Sequence, residues 1–67
     1  MISISVNGHP REYDHAPTIS QLLTDENLAG RRVAVEVDRR VIPRSQHEQH
    51  RLDDGSVVEI IHAIGGG

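Results

Sequence analysis

Ser56-Val57-Val58-Glu59-Ile60-Ile61-His62-Ala63-Ile64 is the longest apolar run in the chain, and Gly65-Gly66-Gly67 follows it. Val57, Val58, Ile60, Ile61, Ala63 and Ile64 place apolar groups on both faces of an extended segment, as expected of a central strand with parallel neighbours. A single short helix blankets only one side of a small sheet. Whichever of the Val57/Ile61 and Val58/Ile60 sets faces away from that helix is left partly wet. Val57, Ile61 and Ile64 therefore form a candidate docking surface beside the glycines, with scattered exposed aliphatics as the alternative.

The glycines read as a tail that is free in solution. Each loses more backbone freedom on ordering than any other residue and has no side chain to bury. What they offer is passage, because an unbranched chain threads a slot too narrow for a Cβ. From Ala63 onward, five extended residues reach roughly 17 Å at ~3.3–3.6 Å each, enough to enter a neighbouring protein's active site. The α-carboxylate of Gly67, with a reference pKa of about 3.3–3.7, is ionised at neutral pH and is a poor electrophile. Conversion to an acyl-phosphate-type anhydride would activate it. Sulfur would then give a thiocarboxylate, and a lysine amine an isopeptide. The tail alone leaves both open, together with a terminus that ends in small residues by accident.

Upstream, Ile2, Ile4 and Val6 alternate with Ser3 and Ser5, the period-2 pattern of a half-buried strand. Asn7-Gly8 is a hairpin signal, because a type I′ turn requires positive φ at both central positions. His9–Tyr13 is the returning strand, and Pro10, with no N–H, assigns it to a sheet edge. Thr18 and Gln21 make a Thr-x-x-Gln capping box, and Ile19, Leu22 and Leu23 are the apolar stripe of a short helix that frays near Asp25–Asn27. Gly30 suits a positive φ where the chain turns back. Val33, Val35 and Val37 alternate as a third strand. Asp38-Arg39-Arg40 reads as a polar turn, Val41-Ile42-Pro43 as a short edge strand, and Ser45 with Glu48 as a second capping box over one helical or 3₁₀ turn through Gln46–His50. Leu52 is the apolar anchor there, and Asp53-Asp54-Gly55 is a turn. Strand, strand, helix, strand, strand, turn, strand is a β-grasp order, and a right-handed crossover sets the last strand parallel to and beside the first.

Sixty-seven residues allow one domain with a small core. The chain has no cysteine, which excludes disulfides, thiolate metal sites and a cysteine nucleophile. Ten acids against seven bases give a formal charge of −3, and Tyr13 is the single aromatic residue. That balance argues against nucleic-acid binding. No apolar run approaches the ~20 residues of a membrane span and no signal-peptide pattern is present, so a cytoplasmic location is expected.

Asn7-Gly8, Arg32-Val33-Ala34-Val35-Glu36-Val37, Val41-Ile42-Pro43-Arg44-Ser45, Leu52-Asp53-Asp54-Gly55-Ser56-Val57-Val58-Glu59-Ile60 and the closing Gly66-Gly67 carry a resemblance that covers nearly the whole chain. It resembles the ubiquitin-like β-grasp sulfur carriers of thiamine biosynthesis, the ThiS family. The resemblance implies an α+β fold: a five-stranded mixed sheet packed on one main helix, with residues 1–64 as the β-grasp domain and 65–67 as a flexible glycine tail. It implies that an E1-like (ThiF-like) adenylyltransferase, using ATP and magnesium that this chain does not itself bind, converts the Gly67 carboxylate to an acyl-adenylate. A persulfide sulfur donor then leaves Gly67 as a thiocarboxylate. The loaded carrier docks on a thiazole synthase (ThiG-like) and gives its sulfur to the thiazole ring. Gly67 carries the chemistry, Gly66 completes the motif, and Gly65 lengthens the threading segment. The chain is then a protein co-substrate and not an enzyme.

The nearest rival is the small subunit of molybdopterin synthase, which shares fold and tail but usually runs longer and carries aromatic residues absent here. A protein modifier forming isopeptides through Gly67, and a passive β-grasp interaction domain, are the other classes. Conjugates in a lysate, or tolerance to loss of Gly66 and Gly67, would reveal them. His47 and His50 flank Glu48 at metal-ligand spacing but lack further partners, so they read as solvated loop histidines and no metal site is expected. His62 reads as an ordinary strand-end histidine close to the tail.

Overall fold

The computed structural model describes residues 1–62. Strand β1 (Ile2–Val6) turns through Asn7-Gly8 into β2 (His9–Tyr13), and helix α1 (Ile19–Asp25) follows. Then come β3 (Val33–Val37), β4 (Arg40–Ile42), a 3₁₀ turn over Arg44–Gln46, and β5 (Val57–His62). The five strands form one sheet in the order β2-β1-β5-β3-β4, so the last strand lies at the centre.

Local chemistry sets each element. Asn7 and Gly8 take φ of 51° and 83°, the left-handed pair of a type I′ turn, and the β1–β2 register runs from Val6↔His9 to Ile2↔Tyr13. Pro10 sits on edge strand β2, where its missing N–H interrupts no inner ladder. At the start of α1, Thr18 Oγ1 accepts the Gln21 N–H at 3.1 Å and Gln21 Oε1 accepts the Thr18 N–H at 2.9 Å. That reciprocal cap satisfies two otherwise orphan donors. The helix ends at Glu26, whose carboxylate takes the Arg11 guanidinium through Nε at 2.9 Å and Nη2 at 3.4 Å, tying β2 to the helix end.

The helix covers one face of the sheet. Ile19, Leu22 and Leu23 pack on Ile4 and Val6 of β1, Val35 and Val37 of β3, and Val58 and Ile60 of β5. Leu52 closes the same core from the long return segment, with its N–H bonded to the Pro17 carbonyl at 2.8 Å.

Several expectations shift in the structure. Strand β5 pairs parallel with β1 but antiparallel with β3, so only one of its neighbours is parallel. The β3–β4 turn holds only Asp38 and Arg39, at φ of 51° and 71°, and Arg40 already pairs with Val37. Strand β4 thus begins at Arg40 and ends at Ile42, leaving Pro43 outside it. The Ser45/Glu48 pattern makes no capping box: the 3₁₀ turn starts at Arg44 with Pro43 before it, and no side chain caps it. Pro43 fixes an extended φ at that corner, and the Gln46 N–H bonds the Pro43 carbonyl at 2.9 Å, which starts the turn one residue before Ser45. Among the described residues no helix is long and apolar enough to cross a membrane.

Tyr13 is partly buried against the core, and loss of solvation, followed by the neighbouring Asp25 carboxylate, pushes its hydroxyl up to about 12. The folded pKa lies above the ordinary value of about 10, so the linked stabilisation is whole below pH ~10 and is lost as pH rises toward 12. Because Tyr13 is the chain's only tyrosine and there is no tryptophan, tyrosinate absorbance reports this site alone. An alkaline titration should give a midpoint near 12 for the native protein and near 10 in urea. Equal midpoints would overturn the assignment.

Candidate functional site

The candidate site is the end of β5 and the sheet face around it. At that end Val33 of β3 pairs with His62, the last described residue of the strand. On the other side the ladder from β1 is short: Ser5↔Val57 and Val6↔Val58 are its registered pairs. Past them the chain of β1 has turned away, yet β5 continues. Asn7 fills the gap with its own side chain. Its backbone N–H bonds the Val58 carbonyl at 2.9 Å, its Oδ1 accepts the Ile60 N–H at 2.7 Å, and its Nδ2 donates to the Ile60 carbonyl at 3.3 Å. One primary amide thus presents the donor and acceptor that a further strand residue would have presented.

The opposite edge of β5 is fastened by a matching device. The Asp38 N–H bonds the Val57 carbonyl at 2.8 Å, and Asp38 Oδ1 accepts the Val57 N–H at 2.9 Å. Asn7 and Asp38 both have φ of 51°, a left-handed geometry that these short polar residues tolerate. Sequence reasoning found the Asn7-Gly8 turn but missed both side-chain roles. The available signal was an Asn or Asp at the first turn position of a hairpin flanking the central strand.

Alternation settles which set of β5 residues is bare. Val58 and Ile60 are buried under α1, whereas Val57 and Ile61 are 50% and 48% exposed on the open face. Val41 on edge strand β4 is 64% exposed and registers with Glu36 of β3, whose buried neighbours Val35 and Val37 turn Glu36 toward that same face. Of the sequence-derived site residues, Val57 and Ile61 therefore share one face. Ile64, Gly65, Gly66 and Gly67 lie outside the described residues.

The remaining candidates have structural roles. His47 is not a solvated loop histidine: it is buried, because the corner after β4 folds its ring inward, and its Nε2 lies 3.0 Å from the Ile42 carbonyl. A carbonyl only accepts, so Nε2 is the donor there. The backbone carbonyls of His47 and His50 accept the N–H groups of Ser20 and Ile19, each at 3.0 Å, seating this corner on the start of α1. No group of three or more His, Asp or Glu among the described residues could hold a metal ion. Asp54 Oδ1 accepts the Ser3 N–H at 2.7 Å, and the Asp53 backbone N–H bonds Ser56 Oγ at 2.9 Å, so the Asp54 carboxylate and the Asp53 main chain both serve the turn before β5. A shallow groove of about 440 Å³ lies beyond Val33 between α1 and the 3₁₀ turn, with Arg31 and Arg44 on its walls.

With this geometry in hand, comparisons with known proteins are specific. The sequence profile of the ThiS family matches residues 4–67. The sulfur carrier protein ThiS of Bacillus subtilis is 36% identical over 50 residues, covering 75% of this chain and 76% of that protein. A thiazole synthase of Paramagnetospirillum magneticum is 33% identical over 66 residues, 98% of this chain, and the chain spans 20% of that protein's length. The crystal structure of the thiamine biosynthesis protein ThiS from Geobacter metallireducens superposes with a TM-score of 0.81 at 30% identity, covering 98% of this chain and all of that one.

The Asn7 clamp predicts separable effects of substitution. Asn7→Gly keeps a residue suited to positive φ but strands both polar groups of Ile60, and should cost about 1–3 kcal/mol. Asn7→Ala should cost roughly 1–2 kcal/mol more, because alanine resists the left-handed conformation. Urea unfolding measures both, and amide exchange at Ile60 should quicken selectively in Asn7→Gly. Unchanged Ile60 exchange would show that the side chain does not hold the strand.

Proposed function

The chain belongs to the ThiS family, and on that premise we propose that it carries sulfur for thiamine biosynthesis as a thiocarboxylate on its own last residue, Gly67. The observation that carries this reading is the family match itself, which runs from the first strand through Gly67. The structure supports it by making β5 the central strand. Residue 63 follows directly on this central strand, whose last described residue, His62, pairs with Val33.

The chemistry begins with an unreactive carboxylate. An E1-like adenylyltransferase, using ATP and magnesium, joins one carboxylate oxygen of Gly67 to the α-phosphorus and releases pyrophosphate. The terminal sulfur of a persulfide donor attacks the acyl carbon, and AMP leaves with that oxygen. A thiol then cleaves the resulting acyl disulfide, supplying two electrons and freeing the thiocarboxylate. Glycine suits this position because no Cβ blocks attack from either face of the carbonyl. Gly65 and Gly66 let the chain enter a narrow active site while the folded domain stays outside.

A thiazole synthase is the proposed acceptor. Support comes from proteins of that name in which about one fifth of the length resembles this entire chain, 98% of it in the alignment. Val57 and Ile61, with Ile64, are the proposed docking residues. The chain is consumed and regenerated as a protein co-substrate, and no catalytic residue is assigned to it.

Incubation with ATP, magnesium, an adenylyltransferase of this family and a persulfide donor should yield a species heavier by the difference between sulfur and oxygen. Tandem fragmentation should place that difference on Gly67. Removal of Gly66 and Gly67 should abolish the shift while leaving the thermal midpoint of the domain unchanged. A plain carboxylate on every molecule after complete incubation would overturn the carrier reading.

A further inference from the structure

Glu36 and Glu59 lie directly opposite one another on β3 and on the central strand β5. Their sequence neighbours Val35, Val37, Val58 and Ile60 are all buried under the helix, so both carboxylates stand on the uncovered side. Directly opposed side chains have Cβ atoms about 4.5–5.5 Å apart, and like charges at that distance destabilise a sheet. Neither glutamate has an ion-pair partner among the described residues.

The surroundings of this pair are apolar. Along β5, Glu59 sits between Val57 and Ile61; across β3, Glu36 registers with Val41. These three aliphatics are 48–64% exposed, whereas the aliphatics on the covered face of the same strands are buried or half-buried. The uncovered face thus sets three exposed aliphatics beside two adjacent negative charges. Solubility alone does not require that arrangement, because a single charge on the face, or charges of alternating sign, would serve without repulsion.

We propose that this face docks a basic protein surface, with a guanidinium of the partner seated between the Glu36 and Glu59 carboxylates and apolar partner side chains on Val41, Val57 and Ile61. A guanidinium is the matching group because its planar fork of N–H donors can bond both carboxylates at once. Docking relieves the repulsion that the free chain carries, so the charge pair favours the bound state twice, through attraction gained and repulsion removed. The inference deepens the carrier reading and rests on it: the partner is the thiazole synthase to which the loaded chain delivers.

The test is titration calorimetry of the full chain against the thiazole synthase of the same cell, at low and at physiological salt. The Glu36→Gln/Glu59→Gln variant should bind at least about tenfold more weakly than the parent and show a flatter salt dependence. Its own thermal midpoint should rise by roughly 1–5 °C as the repulsion goes, which excludes misfolding as the cause. Glu12→Gln, on edge strand β2 of the same sheet and away from Val41, Val57 and Ile61, should bind like the parent. Equal affinity and equal salt dependence for parent and double variant would overturn the docking inference. If that result came with normal sulfur loading of Gly67, the carrier reading would stand without it. Absence of both loading and binding in the parent would overturn both.

Discussion

The fold depends on fastening one strand along both of its edges with very little chain to do it. Strand β5 needs a partner for every inward-facing N–H and carbonyl, because unpaired backbone groups in a sheet interior cost as much as lost hydrogen bonds. Its parallel neighbour β1 supplies registered pairs only at Ser5↔Val57 and Val6↔Val58 before the chain must turn. Asn7 and Asp38 make up the shortfall, each from the first position of a hairpin turn and each with its side chain on β5. The left-handed backbone that suits a type I′ turn also brings these short polar side chains back toward the strand. Turn formation and strand anchoring are therefore the same event at both places.

Size explains the asymmetry of the sheet. A helix of seven residues cannot hold itself together in water, so α1 exists because its capping box and its stripe of Ile19, Leu22 and Leu23 are satisfied against the strands. One such helix covers one face. Among the described residues nothing covers the other face, and there Val57, Ile61 and Val41 remain exposed. A larger domain would add a second layer, whereas this one leaves a surface whose composition can answer to something outside the chain.

Much of this was legible in the sequence because the decisive signals were local. Asn7-Gly8, the Thr18/Gln21 box and the alternating Ile and Val residues each specify their geometry within a few positions, and the structure shows them in place. The Asp38-Arg39 turn was blurred because it holds no glycine, and Asp38 is fixed there by bonds to Val57 of β5 that no local pattern reveals. The Ser45/Glu48 pattern misled for the opposite reason. Its spacing is that of a local cap, but Pro43 sets the start of the turn and no side chain caps it. His47 looked like a solvated histidine because composition cannot show that its ring bonds the Ile42 carbonyl beneath the corner. At the candidate site, alternation divided β5 into two sets, but only the position of α1 could say which set was bare.

That division constrains how such a domain can change. Successive residues of β5 serve different ends: Val58 and Ile60 hold the core, while Val57, Glu59 and Ile61 face outward. A slip of one residue in the register would exchange the two sets entirely. Stability and surface chemistry are thus bound to the same alignment, and the side chains that fix it, Asn7 and Asp38, do so by bonding the backbone of β5. Substitutions on the outer face leave the core pairings intact, so partner recognition is free to vary at Val57, Glu59 and Ile61. The clamps are not free in that way, because weakening either one loosens the strand that both the core and the proposed docking face share.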